Sequence, residues 1–432
     1  MRSKRSAERT VGRLRWTAVG LACCAIAGCR PPSGAVASAL QDDLKTLRTD
    51  IVAERDQGKI DRERAREIAQ ALLEREVTSA RGSEAVPRIR ALRSCARPLY
   101  DVLRERAEVD DEIGGEAALI LLEHDQLRGS ALERYVAAED GAWRAVAARD
   151  TEATRARGQR AAFLTDPDER VRRAALHAAV AAPDARDTEA LLEVARLDPD
   201  PLARSIAIRA LGRVGTERVV LALKDRWDRA DEPLRLAIVD AWSQPRSLAA
   251  GGKTQLVRLA EAEQGLPALQ AAHVLLREAD TAELAAQKLL ATAREGSTLE
   301  RRMAVRLLPV RHPDAREVLE DAADAADPDV RVLANARLLQ LDGDDAARSR
   351  LREMARGKGS AALQARAALA AHGDDAVVPL LQAQLTDARS SHRKMAALSL
   401  LRLERFGDAA PVLADESPST RTELACQLVA AD

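Results

Sequence analysis

The chain has 432 residues. This exceeds the roughly 250–300 residues that a single hydrophobic core usually supports, so the chain contains several domains or a repeat array. Charged residues make up 31% and apolar residues 46% of the chain, a balance that excludes a disordered protein. Aromatic residues make up only 2%, which favours helices with small, close-packed side chains over β-strands.

Residues 1–28 have the pattern of a secretory signal peptide. Six basic side chains precede residue 17, and residues 17–28 carry no charge. Twelve apolar residues are too few to span a bilayer, which takes about 20. Removal of this segment takes away six basic and one acidic side chain, so the net charge changes from −1 to −6. An acidic body disfavours nucleic-acid binding, which needs a concentrated basic surface.

The end of this segment reads Ile26, Ala27, Gly28 and Cys29. These four residues resemble the lipobox of bacterial lipoproteins, and the resemblance implies that Cys29 carries lipid and becomes the first residue after cleavage. An ordinary signal peptide with a chance cysteine is the alternative. Two or three acyl chains anchor a protein firmly, whereas one binds marginally. Because Arg30 follows, and not an inner-membrane retention aspartate, we expect a lipid-anchored protein at the outer membrane that faces the periplasm.

Residues 29–35 form a short tether in this interpretation, and residues 36–83 form a helical hairpin. Leucine and isoleucine recur at helical spacing on both sides of a break at residues 57–59, and Asp61 is a predicted N-cap for the second helix. We expect this hairpin to cap the array that follows.

From residue 84 to residue 432 the chain repeats a turn followed by an amphipathic helix. The turns recur at intervals of 26–34 residues, enough for two helices and two turns. Apolar residues after each turn fall at offsets 0, 3, 4, 7, 8 and 11, one stripe of a helix. Glycine followed by Asp or Thr is predicted to end one helix and cap the next at Gly215, Gly343, Gly373 and Gly407. The turns lie near Asp110, Asp140, Asp166, Asp198, Asp231, Gly265, Ser297, Asp327, Ser360, Ser390 and Ser417.

These units resemble HEAT repeats, especially the short bacterial type found in phycobilisome-lyase-like proteins. The resemblance covers roughly residues 85–432 and is clearest from 160 to 345. It implies an all-α fold, a right-handed α-solenoid of about ten helical hairpins. Because each unit of a solenoid packs only on its neighbours, we expect an elongated, curved molecule.

The resemblance also implies a structural ladder in which a turn aspartate and an arginine early in the second helix are hydrogen-bonded along the stack. The units before residue 150 break this pattern, and Asp231/Arg235 and Asp327/Arg331 are only four apart. The pairs that stand six apart are Asp166/Arg172, Asp198/Arg204, Asp387/Arg393 and Asp415/Arg421.

Two cysteines remain in the repeat region, Cys95 and Cys426. Ten packed units at about 8–10 Å each would place them many tens of ångströms apart, whereas a disulfide needs Cα atoms within about 7 Å. We therefore predict that they do not pair within one molecule.

No pattern of catalytic chemistry stands out. Residues 251–254, Gly-Gly-Lys-Thr, are similar to the end of a phosphate-binding loop, but they follow a predicted helix where such a loop needs a strand. We interpret them as a turn in which Thr254 caps the next helix. The six histidines are dispersed, so we expect no metal, no cofactor and no catalytic residue. Trp143, Trp227 and Trp242 are predicted to fill the core.

The function predicted from these features is a membrane-anchored, monomeric scaffold that binds a protein partner and is not an enzyme. The alternatives are an enzyme of the HEAT-like lyase or glycosylase type and a structural envelope-assembly factor. Offsets 2 and 6 of the second helices are predicted to point outward, with a basic stretch between residues 140 and 310. Beyond residue 327 these offsets are apolar, and Ala365, Leu369 and Leu398 are the predicted docking residues. A register shift of one residue would instead bury them.

Overall fold

The computed structural model describes residues 32–41, 43–127, 138–150 and 157–430, and every regular element in these ranges is a helix, as predicted. The α-helices in chain order are α1 (Ala35–Ala39), α2 (Leu44–Asp56), α3 (Arg62–Ser79), α4 (Val86–Ala91), α5 (Tyr100–Ala107), α6 (Glu112–Glu123), α7 (Gly141–Asp150), α8 (Arg160–Leu164), α9 (Glu169–Ala181), α10 (Thr188–Leu197), α11 (Pro201–Val214), α12 (Glu217–Trp227), α13 (Glu232–Trp242), α14 (Pro245–Ser247), α15 (Lys253–Ala262), α16 (Leu266–Leu275), α17 (Ala282–Glu295), α18 (Thr298–Leu307), α19 (Ala315–Ala323), α20 (Pro328–Asp342), α21 (Asp345–Ala355), α22 (Ser360–Ala371), α23 (Val378–Gln384), α24 (Ser390–Arg402), α25 (Phe406–Ala409) and α26 (Pro418–Ala430). Tighter 3-10 turns also occur, among them Leu92–Cys95 before α5 and Ala410–Ala414 before α26.

The repeated turn residues determine where the second helices begin. Asp200 and Asp327 each lie just before a helix whose first residue is proline, and their carboxylates accept hydrogen bonds from the first free backbone N–H groups. Proline suits this position because its missing N–H would have no partner in the helix.

Glycine ends several of the same helices. Gly215 and Gly343 follow α11 and α20 in the left-handed conformation, as predicted. The prediction is wrong at Gly407, which lies inside α25. It is also wrong at Thr254, because the residue before α15 is Gly252 and no side chain caps this helix.

The helices form two layers, and each unit contributes one helix to each layer. Successive second helices pack directly on one another along the whole stack, whereas successive first helices contact each other less. In a curved stack the inner layer is the more crowded one, so the second helices form the inner wall. The inner helices in the described ranges are α4, α6, α7, α9, α11, α13, α16, α18, α20, α22, α24 and α26.

The stack closes on itself, and the predicted elongated shape is wrong. The last helix, α26, packs on α3 and α4 and on the turn Leu92–Cys95, and α2 packs on the turn Ala410–Ala414. The guanidinium of Arg48 also donates a hydrogen bond to the carbonyl oxygen of Ala414 at 3.0 Å. The α-solenoid therefore forms a ring in which the first and last units are neighbours.

The prediction for the cysteines is wrong for the same reason. Cys95 and Cys426 are joined by a disulfide across the closing junction, with their Cα atoms 5.1 Å apart. The sequence argument assumed an open stack, in which the distance between the ends grows with each unit. In a ring the two most distant units along the chain meet.

Within residues 36–83, α2 and α3 lie on either side of the predicted break, and Asp61 caps α3 by accepting a hydrogen bond from the backbone N–H of Arg64 at 2.8 Å. The short helix α1 packs on both of them. This segment does not cap a free end, because α2 and α3 contact the C-terminal unit. The signal peptide and Cys29 lie outside the described residues. None of the helices between residues 32 and 430 that the structure describes is both long and apolar enough to cross a bilayer.

Candidate functional site on the inner wall of the ring

The arginine ladder holds neighbouring units together at the start of the inner helices. Arg172 donates to the carbonyl oxygen of Asp166 in its own turn at 2.9 Å and to the carboxylate of Asp198 in the next turn at 2.7 Å. Arg393 makes the same two contacts, with the carbonyl oxygen of Asp387 at 2.7 Å and the carboxylate of Asp415 at 2.5 Å. These bonds confirm the predicted ladder at two positions.

The other two predicted pairs are also hydrogen-bonded, but their arginines do not reach the aspartate of a second turn. Arg204 and Arg421 each bind the carbonyl oxygen six residues earlier, that of Asp198 and Asp415 respectively, but no aspartate of a following turn. Arg331 also binds the carbonyl six residues earlier, at Ala325, in a unit whose turn aspartate stands only four residues before the arginine. The recurring feature is an arginine that binds a backbone carbonyl before its helix, six residues earlier at these positions and eight residues earlier at Arg235 and Arg301.

The ladder also extends to a unit where the sequence analysis expected it to be broken. Arg144 donates to the carbonyl of Ala138 at 2.9 Å and to both carboxylate oxygens of Asp166, at 3.1 and 3.2 Å. The signal for this contact is the spacing, because Arg144 and Asp166 are 22 residues apart, as are Arg393 and Asp415.

A buried ion pair was missed because its arginine lies in a first helix. Arg160 has no exposed surface and donates to the carboxylate of Asp187 at 2.7 Å and to the carbonyl of Ala178 at 3.1 Å. Burial raises the pKa of the Asp187 carboxyl, and Arg160 opposes this rise. The pair links two units and faces no solvent, so we assign it to the framework of the ring.

Two of the three predicted docking residues are not available to a partner. Ala365 and Leu369 are fully buried, and Leu398 is half-buried against the core. The reason is that α22 packs directly on α20 and α24, so the neighbouring inner helices cover positions that would be exposed on an isolated hairpin. The docking prediction is therefore wrong at Ala365 and Leu369, whereas Leu398 keeps part of its surface exposed.

An apolar groove does open on the inner wall, in the neighbouring units. It is lined by side chains of four successive inner helices, α16, α18, α20 and α22, and has a volume of about 240 Å³. Leu299, which is 59% exposed, and the half-buried Met303 and Leu333 form its apolar floor. We call this site the inner groove; its lining is Leu266, Leu299, Arg302, Met303, Arg306, Asp329, Leu333 and Gln364.

The two arginines at the inner groove differ in whether an acidic side chain neutralises them. Arg302 is paired with Asp327 at 2.7 Å and with Asp329 at 3.0 Å. Arg306 is exposed and donates to the sulfur of Met303 at 3.1 Å, but it has no acidic partner among the described residues. The groove therefore offers an apolar floor with one unneutralised cation at its edge, a surface suited to an amphipathic segment that carries a carboxylate.

The inner wall of the first half of the ring is charged. Its arginines pair with acids on the neighbouring helices, so cations and anions alternate along the wall. The pairs are Arg93 with Glu116 at 3.0 Å, Arg149 with Glu123 at 3.8 Å, Arg173 with Asp200 at 3.0 Å and Arg209 with Asp240 at 3.2 Å.

His177 lies among these arginines, at one of the positions predicted to point outward. Its side chain is exposed, but the wall surrounds it. Desolvation by the surrounding protein and the positive charges of Arg93, Arg149, Arg209 and Arg173 lower its pKa to about 4. His177 is therefore neutral at pH 7, and a proton is unfavourable at this position.

The tryptophans and the Gly-Gly-Lys-Thr turn singled out in the sequence have structural roles. Trp143, Trp227 and Trp242 are buried as predicted, and the last two stack with ring centres 5.6 Å apart. Lys253 of the Gly-Gly-Lys-Thr turn pairs with Glu278 and Asp280 on the next unit, at 3.2 and 2.5 Å. No group of three side chains that could hold a metal ion occurs within the described ranges.

Comparisons with known proteins agree with the repeat assignment. Residues 158–243 match a family model described as HEAT repeats, which confirms the resemblance in that part of the chain. No curated protein matches the chain. Among solved structures, YibA of Escherichia coli is 13% identical, with a TM-score of 0.26 over 74% of this chain and 97% of that one. A mutant of Kap121p is 12% identical, with a TM-score of 0.34 over 85% of this chain and 48% of that one, so the chain spans about half of that protein.

Proposed function

We propose that this protein is an exported, lipid-anchored scaffold that binds a segment of a partner protein on the inner wall of its ring. HEAT repeats of residues 158–243 support a role in protein interaction. The observation that carries the proposal is the inner groove, where Leu299 exposes 59% of its surface beside the unpaired Arg306. Leu299 adjoins the partly exposed Met303 and Leu333, and a contiguous apolar surface of this kind is typical of a binding site.

The dimensions of the ring are compatible with such a partner. About twelve inner helices spaced 8–10 Å apart give a circle about 30–38 Å across at the helix axes, and one helix diameter of about 10 Å must be subtracted. The remaining channel is about 20–28 Å wide. A single helix or an extended segment fits into this channel and can reach the groove.

The export part of the proposal has two supports. The lipobox-like sequence that ends at Cys29 supports lipid attachment at the cell envelope, with the body facing the periplasm from the outer membrane. The disulfide between Cys95 and Cys426 supports an oxidising compartment, because such bonds are rare in proteins that stay in the cytosol.

The anchor is tested by Cys29→Ala with metabolic labelling by a fatty acid. We expect the variant to lose the label and to leave the membrane fraction. Cys24→Ala is the matched control, because Cys24 lies in the segment that cleavage removes. A wild-type protein that stays at the membrane without any lipid label would refute the anchor.

The inner groove is tested by two leucine substitutions of matched exposure. Leu299 lies in the groove and Leu221 lies on α12 in the outer layer, and they are 59% and 48% exposed. A photo-crosslinking amino acid at position 299 should form a defined adduct in cells, and Arg306→Glu should abolish it. The same amino acid at position 221 should give none. Equal adducts at both positions, or none at 299, would contradict a partner in the groove.

A further inference from the structure

The closing junction of the ring joins two parts of the chain that are 331 residues apart, and a disulfide crosses it. Cys95 ends the turn Leu92–Cys95 after α4, and Cys426 lies on α26. Both are buried, with 3% and 5% of their surfaces exposed.

The junction around the disulfide also contains a buried carboxylate. The carboxylate of Glu76 is 3% exposed and lies 3.2 Å from Arg88 and 3.9 Å from Arg421. Arg88 belongs to the N-terminal part of the ring and Arg421 to the last helix, so this one carboxylate receives cations from both sides.

This junction differs from every other junction in its connectivity. Neighbouring units elsewhere are joined by the polypeptide itself, so a unit that separates from its neighbour stays tethered within a few ångströms. At the closing junction the backbone does not cross, and the disulfide is the only covalent link between the two sides. Without this bond the two sides meet only at the effective concentration that a long, curved chain provides.

We propose that the Cys95–Cys426 disulfide is a redox latch on the ring. Oxidation makes the chain between the two cysteines a covalently closed circle. Reduction by a protein with a reactive dithiol, which itself becomes a disulfide as Cys95 and Cys426 return to thiols, lets the last unit separate from the first. The latch is independent of what the inner wall binds, and its consequence for any bound segment is geometric. A latched ring exchanges a segment only through the open ends of its channel, whereas an unlatched ring also opens sideways.

The oxidation needs an oxidant, which we take to be a protein with a reactive disulfide. The thiolate of one cysteine attacks a sulfur of that disulfide and forms a mixed disulfide, and the leaving sulfur becomes a thiol. The second thiolate then attacks the mixed disulfide at the sulfur of this protein, and the oxidant leaves as a dithiol. One S–S bond forms and one breaks, and the two protons and two electrons of Cys95 and Cys426 pass to the oxidant.

Burial of both sulfurs restricts when the latch can change state. A reductant or oxidant must approach a sulfur directly, which the closed junction prevents. We therefore expect the bond to form while the ring is open, and reduction to proceed only as fast as local fluctuations of the closed junction expose a sulfur.

The covalent circle is tested by cutting it once. A protease site inserted in the exposed turn at Gly343, between α20 and α21, allows the folded full chain to be cleaved. Without reductant, denaturing electrophoresis should show both fragments held together at the mass of one chain, and reductant should separate them. The same insertion with Cys95→Ser should give separate fragments in both lanes. Separate fragments from the wild-type cysteines, or a species of twice the mass, would overturn the proposal.

The opening of the latch is tested by amide hydrogen exchange of α26. We compare the oxidised protein, the reduced protein and the variant with both Cys95→Ser and Cys426→Ser. Exchange in α26 and α3 should become at least about tenfold faster in both unlatched forms, and exchange in α11 and α13 should stay unchanged. The reduced wild type gives the same readout if the serine variant does not fold. Unchanged exchange in α26 after reduction would show that packing alone closes the ring, and the latch would be refuted.

Discussion

The junctions within the repeat array and the junction that closes the ring show two ways to hold helical units together. At an internal junction, Arg172 connects two turns through a half-buried guanidinium, and variants of this contact recur from unit to unit. At the closing junction a disulfide and the buried Glu76 replace the repeated contact. This comparison indicates that many modest contacts suffice where the backbone links neighbouring units. A junction that the backbone does not cross needs a few strong contacts instead.

Among changes at the two kinds of junction, loss of the disulfide should lower the free energy of unfolding most. In the chain-entropy model, a bond that closes a loop of more than 300 residues contributes about 5–6 kcal/mol by restricting the unfolded chain. We therefore expect the variant with both Cys95→Ser and Cys426→Ser to unfold at a clearly lower urea concentration than the oxidised protein. Reduced wild-type protein should match the variant. Equal midpoints for oxidised and reduced protein would show that the closing junction does not depend on the bond.

Neutralisation of Glu76 should have the next largest effect. Glu76→Gln leaves Arg421, which is 5% exposed, buried without a carboxylate, and we expect a loss of about 2–4 kcal/mol in the free energy of unfolding. Glu67→Gln on the same helix is the control, because Glu67 is exposed and its pair with Arg64 lies at the surface. Similar midpoints for both variants in urea unfolding would mean that the buried carboxylate has no special role.

Substitutions in the ladder should have smaller effects and should differ from each other. Arg172→Ala removes a bond to the buried Asp198 carboxylate and should cost about 1–3 kcal/mol. Arg204→Ala removes only a bond to a backbone carbonyl and should cost less than about 1 kcal/mol. If both variants melt at the same temperature, the carboxylate contact is not what stabilises an internal junction.

The smallest effect concerns the charged inner wall and depends on pH. The pKa of His177 is about 4 in the folded protein and about 6.5 in an unfolded chain. Between these values the unfolded state binds a proton that the folded state does not, so stability decreases as the pH falls from 6.5 towards 4. Because the side chain is exposed, solvent limits the change to less than about 1 kcal/mol. His177→Gln should remove this part of the pH dependence in thermal melts, and an unaltered profile would contradict the assignment.

The sequence predicted the features that repeat. Turn residues such as Asp200 and Asp327 cap helices through local contacts, and the apolar spacing within one helix reports its buried face, so helices and repeat were accessible from the chain alone. The ladder was predicted in part, because its arginine stands at a fixed spacing from a turn. Its acceptor is often a backbone carbonyl, as at Arg331, and the residue type of the turn carries no signal for that.

The sequence did not predict the features that depend on the combined geometry of all the units. About twelve units each rotated by about 30° close a ring, but this rotation arises from the packing of neighbouring helices and has no signature in a single sequence. The pairing of Cys95 with Cys426 depends on the total rotation that closes the ring. The burial of Leu369 likewise depends on packing between units, because the adjacent inner helices cover it. Leu333, in the preceding unit, stays partly open to the groove.

Closure of the ring is the central claim, and a distance between its two ends tests it most directly. Thr49 on α2 and Glu416 before α26 are both exposed, and the neighbouring Arg48 and Ala414 are hydrogen-bonded across the junction. Spin labels at Thr49→Cys and Glu416→Cys, measured by pulsed electron paramagnetic resonance, should give one narrow distance below about 25 Å, two helix diameters. An open stack of about ten junctions would place the labels about 80–100 Å apart, and a distance in that range would contradict the closed ring.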